Sequence, residues 1–301
     1  MKPRHMLAMF AICCLWAGNI VAIREAVMAI PPLLAVALRY AVMLPFCLPY
    51  MRWLEGPPAD GGRPSRMTLV LLAGTLGGGL HFALGGIAFA KATNLSALAI
   101  AGQLGVPFSL LLAILFQGER IQWRRTLGIL LAFAGVFILV FDPRIVDERV
   151  ALVLTVIASF LWAASTLVMR RLTGVHVLNL MGWQAAASLP LLLLASAILE
   201  PGGFRALPDA PLSAFFWILY SGLFASLVGH AGMSWMLQRY PVSTITPLTL
   251  PTPVLSILLA TIVYGTPITW LMLAGAILTL TGVAIIALRT AGKAAAAGTP
   301  A

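Results

Sequence analysis

Charge is scarce in this chain. Of 301 residues only 9% are Asp, Glu, Lys or Arg, against 61% apolar residues, and the mean hydropathy is +1.00. Soluble domains carry about 25% charged residues, so a soluble enzyme or a disordered segment is excluded. Acid is scarcest. The nine acidic residues, Glu25, Glu55, Asp60, Glu119, Asp142, Asp147, Glu148, Glu200 and Asp209, all fall at the ends of apolar runs or between them. An ion-coupled antiporter or an exporter of cationic drugs keeps a carboxylate within the membrane to bind and release the ion. Its lack points to a facilitator and away from cationic cargo, with histidine left as the side chain able to carry a proton there.

Cysteine is also rare, and Cys13, Cys14 and Cys47 lie inside apolar runs without metal-type spacing. They read as small core residues, and no metal or cofactor is expected. No Asp, Glu or His grouping recurs at helical spacing, which leaves an intramembrane enzyme without its acid, base or nucleophile. The net charge of +10 comes from Lys and Arg set singly between apolar runs. A nucleic-acid surface would gather them into a stripe; membrane topology scatters them this way. Long loops are missing too: the longest, about Leu54 to Arg66 and Glu200 to Leu212, are rich in Pro and Gly and too short to hold a domain. Met1-Lys2-Pro3-Arg4 before an apolar run has the shape of a signal peptide, but the run is long and more follow, so an uncleaved first span is expected.

What the chain has in abundance is apolar runs of membrane length. A helix needs about 20 apolar residues to cross the hydrocarbon core, and ten such spans are expected: Met6 to Ile23, Pro32 to Trp53, Met67 to Ala90, Leu95 to Phe116, Trp123 to Phe141, Val150 to Val168, Val177 to Leu199, Ser213 to Leu237, Val242 to Tyr264 and Thr269 to Leu288. These lengths suit helices rather than barrel strands. Of the 19 Lys and Arg, five (Arg24, Lys91, Arg144, Arg149 and Arg205) fall on one side, Arg39 lies within the second span, and the remaining thirteen fall on the other. That side is the cytoplasmic one by the positive-inside rule, which puts both termini in the cytoplasm.

The chain also repeats. Leu104-Gly105-Val106-Pro107 through Gly118, Gly128 and Gly135 is echoed by Thr252-Pro253 through Gly265, Gly275 and Gly282; Leu15-Trp16-Ala17 is echoed by Leu161-Trp162-Ala163. Two copies of one unit follow, expected at residues 1–146 and 147–290, with 291–301 a disordered cytoplasmic tail. Five spans per copy is an odd number, so the second copy enters the membrane inverted, an arrangement suited to alternating access.

Several polar or bulky residues sit at membrane depth. His81 and His230 occupy equivalent spans, two residues out of register, and read either as donors lining a path or as groups satisfied by a neighbouring backbone. Trp16 and Trp162 are deep and symmetry-related, and offer a flat apolar face with one donor to an aromatic or amphipathic cargo, or bulk for packing. Asn19 and Ser165 follow them by three residues and share their helix faces. Gln103, one turn before Pro107, is answered in the ninth span by Thr246, Pro247, Thr249, Pro251, Thr252 and Pro253. Proline frees carbonyls that must face protein or water, so spans four and nine are expected to line a cavity and bend at Pro107, Pro247, Pro251 and Pro253. Arg39 reads as a snorkelling or carbonyl-paired structural residue, and the glycines of spans three and eight as close packing.

A Pro-bearing helix, the hairpin Gly118-Glu119-Arg120 and a helix with Gly128 and Gly135, together with Leu15-Trp16-Ala17-Gly18-Asn19 and Arg39, resemble the EamA-type repeats of the drug/metabolite transporter superfamily over nearly the whole chain. One departure is Gly265-Thr266-Pro267, where the family commonly has Gly-Glu; a symmetric structural role for Glu119 is thereby in question. Within the superfamily the chain looks most similar to aromatic-amino-acid exporters. The resemblance implies an all-α integral membrane protein of the bacterial inner membrane, a ten-helix basket whose cavity is lined by helices one, three, four, six, eight and nine, with five and ten peripheral. It further implies export of aromatic and other neutral amino acids by a monomer or weak homo-oligomer; the alternative cargo is other small apolar metabolites or drugs, with proton coupling. The substrate-contacting residues are then Trp16, Asn19, His81, Gln103, Trp162, Ser165, His230 and Thr249.

Overall fold

The computed structural model describes residues 1–57, 64–117, 122–237, 239–240 and 242–296. It is helical throughout. Among the described residues nine helices are long and apolar enough to cross a membrane. They are α1 (Pro3–Ala29), α2 (Pro32–Tyr50), α3 (Arg66–Lys91), α4 (Leu95–Phe116), α5 (Trp123–Val140), α6 (Arg149–Met169), α7 (Val177–Leu199), α8 (Leu212–Met236) and α10 (Trp270–Ala296). The ninth expected span is there in pieces: a turn at Val242–Ile245, a 3-10 turn at Thr246–Thr249, then α9 (Pro251–Tyr264). Proline withholds a backbone donor at 247, 251 and 253, so one uninterrupted helix is not available to this segment. The tenth helix continues to Ala296, past the start of the expected tail, while residues 297–301 and Glu119 lie outside the described residues.

The inverted repeat is visible in how copies meet. Helices α5 and α10 pack along their length. A Cβ added at Gly128 would lie 2.8 Å from the carbonyl of Gly282, and one at Gly275 would lie 2.7 Å from that of Gly135. Contacts that run up one helix and down the other belong to an antiparallel pair, and α5 and α10 are the same element of the two copies. Other contacts recur with the copies exchanged. Helix α1 packs on α8 and α9, as α6 packs on α3 and α4.

Acidic residues cap helices where the chain re-enters the apolar layer. The Glu200 carboxylate accepts from the backbone N–H groups of Leu33 and Leu34 at 2.8 and 3.1 Å, satisfying orphan donors of the first turn of α2. Glu148 accepts from the N–H groups of Thr93 and Asn94 at 2.7 and 2.9 Å, and the side chain of Asn94 accepts from Ala97 at the start of α4. Two of the few carboxylates are thus tied up as caps at helix ends.

Helices α3 and α8 share an unusual feature. Each opens into π-helical turns midway, at Gly74–Leu80 and at Tyr220–Val228. A π turn shifts the hydrogen-bond ladder and leaves carbonyls without partners. In lipid those must find donors within the protein, and they do. Ser165 donates to Ala73 O at 2.8 Å, Ser188 to Gly74 O at 3.1 Å and Tyr40 to Gly78 O at 3.0 Å. In α8, Trp16 donates to Ala225 O at 3.0 Å and Ser226 to Ser221 O at 2.6 Å.

Candidate functional site

Between the copies lies a cavity of ≈ 350 Å³, lined by α1, α2, α3, α4, α6, α8 and Ser256 of α9. A second cavity of ≈ 470 Å³ is lined by α4, α6, α9, α10 and Thr249. The first reaches Val27 and Phe89, near the C-terminal ends of α1 and α3; the second reaches Arg170, at the C-terminal end of α6. Successive spans alternate direction, so these ends belong to opposite faces. Both cavities touch Gly102, Gln103 and Trp162, which form the septum between them.

The septum sits at a break in α4. Residues Gly102–Leu104 form a 3-10 turn, and Pro107 cannot donate to the carbonyl of Gln103. Thr249 closes the matching 3-10 turn before α9 and lines the second cavity together with Gln103 and Pro253. The two broken helices therefore face each other at equivalent points of the two copies. Pro251 instead flanks a shallow groove beside Met6 and Leu7, and Pro107 is buried; the side chain of Pro247 is outside the description.

The deep aromatics form crossed pairs. Trp16 of α1 lies 5.5 Å from the ring of His230 in α8, and Trp162 of α6 lies 5.2 Å from His81 in α3. His230 also stacks near Trp162 at 6.4 Å. The π segment is seven residues long in α3 and nine in α8, and each histidine follows its segment closely. His81 Nδ1 contacts Ala158 O at 2.8 Å; the partner is an acceptor, so Nδ1 carries a proton, and in the neutral form of the ring Nε2 is an acceptor. Trp16, Asn19, His81, Gln103 and Trp162 all line the first cavity. Ser165 does not: its hydroxyl is spent on Ala73 O, and α6 comes so close to α3 at Gly77 that any side chain there would strike Ser165. Helical spacing put Ser165 on the face of Trp162, but the freed π-turn carbonyl turns it toward α3.

Arg39 is 6% exposed and lines the first cavity. Its Nε and Nη2 donate to Ser226 Oγ at 3.1 and 2.6 Å, and its guanidinium lies 3.9 Å from the ring centre of Phe82. Neither Phe82 nor Ser226 stood out in the sequence. Phe82 is one apolar residue among many, and Ser226 sits within the π turns, where i, i+3 and i+4 spacing misplaces a helix face. Helix α2 joins the cavity wall through Arg39, Val36 and Ala35, and α10 joins the second cavity through Val283 and Ile286. Both extend the lining that the resemblance implied, which left α2 out and made α10 peripheral. Among the described residues, none that lines either cavity is acidic.

Comparison with known proteins follows the same lines. The EamA-like transporter family model matches residues 4–141 and again 149–288. The chain is 27% identical over 290 residues to a protein of Salmonella typhimurium named "Probable amino-acid metabolite efflux pump", covering 91% of each. It is 29% identical over 197 residues to a "Probable terminal-alkyne amino-acid exporter" of Streptantibioticus cattleyicolor, covering 64% of each. A solved crystal structure superposes with a TM-score of 0.61 at 20% identity over 97% of this chain and 99% of its own, a likeness of fold. Matched twice by one family model, across nearly its whole length, the chain belongs to the EamA-like transporter family.

Proposed function

We propose that this protein exports amino acids, aromatic and other neutral ones, across the bacterial cytoplasmic membrane by alternating access and without ion coupling. The observation that carries the reading is the pair of cavities directed to opposite faces and separated by Gly102, Gln103 and Trp162. An inverted pair of five-helix copies has two states of similar energy, each opening one face, and a septum at broken helices is where such a molecule switches. Trp16 and Trp162 supply flat apolar surface for the cargo side chain, His81 borders it, His230 supports both indoles without lining either cavity, and Asn19, Gln103 and Thr249 offer hydrogen bonds along the path. Pro107, Pro247, Pro251 and Pro253 loosen α4 and α9 for bending. Relatives named as amino-acid exporters support the cargo class. The absence of any acid among the lining residues supports uncoupled movement, and the distribution of Lys and Arg supports cytoplasmic termini.

The test is exchange in liposomes reconstituted with purified protein, with unlabelled Phe, Trp or Thr inside and the labelled amino acid outside, with and without a pH gradient. Saturable exchange at the same rate under both conditions is expected. No exchange of any amino acid would remove the cargo assignment in favour of other metabolites or drugs. Exchange driven by the gradient would make His81 and His230 the coupling groups.

A further inference from the structure

Arg39 poses a problem of charge. Its guanidinium cannot shed its proton, it is buried at membrane depth about two turns into α2, and a permanent charge placed there needs a counter-ion. Among the described residues, none that lines its cavity is acidic. Its partner is the neutral hydroxyl of Ser226, which takes the side fork of Nε and Nη2. The remaining nitrogen, Nη1, is buried without a hydrogen-bond partner. A second orphan borders the same cavity: Asn19 Oδ1, an acceptor, is also buried and unpaired. The hydroxyl of Ser221, which lines the cavity too, is a third unpaired group and can donate or accept. A cavity wall with an unsatisfied cationic donor, a neutral amide acceptor and a hydroxyl is complementary to a molecule bearing an anionic acceptor and a cationic donor.

We infer that Arg39 is the carboxylate anchor of the cargo, with Nη1 donating to it, and that Asn19 Oδ1 accepts from the cargo's ammonium group. The inference rests on the amino-acid reading above and adds to it the groups that distinguish a zwitterion from other small apolar molecules. Ser226 and the face of Phe82 then act as positioning groups, holding the guanidinium so that Nη1 stays turned from its protein partner. The cargo's side chain is left to the tryptophans, so the α-amino and α-carboxyl groups decide binding and the side chain is read loosely.

Displacement of labelled Phe from purified protein tests this, with three unlabelled competitors: Phe, its carboxamide, which lacks the carboxylate, and N-acetyl-Phe, which lacks the ammonium. Wild type is expected to prefer Phe over either analogue by about tenfold or more, since charged hydrogen bonds in a buried site are worth that much. Arg39→Gln should erase the difference between Phe and the carboxamide and leave the N-acetyl difference, while Asn19→Leu should do the reverse; Arg39→Lys, which keeps a cation, should retain part of the preference. A wild-type protein that binds the carboxamide as tightly as Phe overturns the inference even if no variant folds. A preference that survives in Arg39→Gln overturns it too, with the exporter reading intact. Labelled 3-phenylpropionate separates the remaining cases: binding of it through Arg39 without any binding of Phe keeps the carboxylate anchor and rejects amino-acid cargo, and binding of neither rejects both.

Discussion

Single side chains in this molecule are spent on unsatisfied backbone. Ser165, Ser188, Tyr40 and Trp16 each donate to a carbonyl within or beside a π-helical turn, and their cost of removal is that of an orphaned group in a dry interior, about 1–3 kcal/mol. Trp16 combines this bond with a place in the cavity wall. Trp16→Phe keeps the apolar face and loses the donor to Ala225 O, so the thermal midpoint in detergent should fall while the affinity for aromatic cargo changes little. Trp162 makes no such bond in the structure and lies on the septum; Trp162→Phe, which breaks no backbone hydrogen bond, should lower the exchange rate by up to about tenfold at nearly unchanged stability, an aromatic contact being worth about 0.5–1.5 kcal/mol. Measuring thermal midpoint and exchange on both variants distinguishes the two tryptophans, which the sequence presents as equivalent. Their equivalence was legible as a repeat; the division of labour was not, because both facing helices open into π turns and it depends on which side chains reach the freed carbonyls, Ser165, Ser188 and Tyr40 in α3 but Trp16 in α8.

At the level of elements, capping and crossing hold the copies together. Glu200 caps α2 from the end of α7, and Glu200→Ala should cost about 0.5–2 kcal/mol, as cap removal does elsewhere, read as a lowered midpoint without loss of the exchange mechanism. The α5–α10 crossing depends on backbone contact at Gly128, Gly135, Gly275 and Gly282. Gly128→Leu places side-chain atoms where the carbonyl of Gly282 lies, and overpacking of this kind costs about 1–3 kcal/mol; loss of monodisperse protein in size-exclusion chromatography is the expected sign. Pro107→Ala restores a backbone donor at the α4 break. Under the proposed mechanism it should slow turnover more than it changes the concentration for half-maximal exchange, and equal effects on both would argue against α4 as a bending element. Sequence periodicity located the helices well because apolar length is a strong signal. The breaks in α4 and α9 were legible from proline, whereas the π turns in α3 and α8 were hidden, since glycine-rich stretches read the same for close packing and for an altered ladder.

For the whole molecule, the expected orientation is testable with a carboxy-terminal fusion: a fluorescent protein should mature there and alkaline phosphatase should stay inactive, and the opposite result would invert every loop. Composition, run length and the recurrence at a displacement of 146 to 147 residues were enough to determine a polytopic helical protein of two like copies, because in a membrane the backbone must satisfy itself within each span and only apolar helices do so. They also led to the expectation that every acidic residue lies outside the membrane interior. Tertiary structure alone decided that Glu148 and Glu200 cap helices of the first copy, that Ser165 faces α3 while Asn19 faces the cavity, and that Arg39 meets a hydroxyl and an aromatic ring with one nitrogen left over. Those outcomes depend on which residues from distant parts of the chain compete for the same unpaired carbonyl, carboxylate or cation, and that competition is settled only when the helices pack.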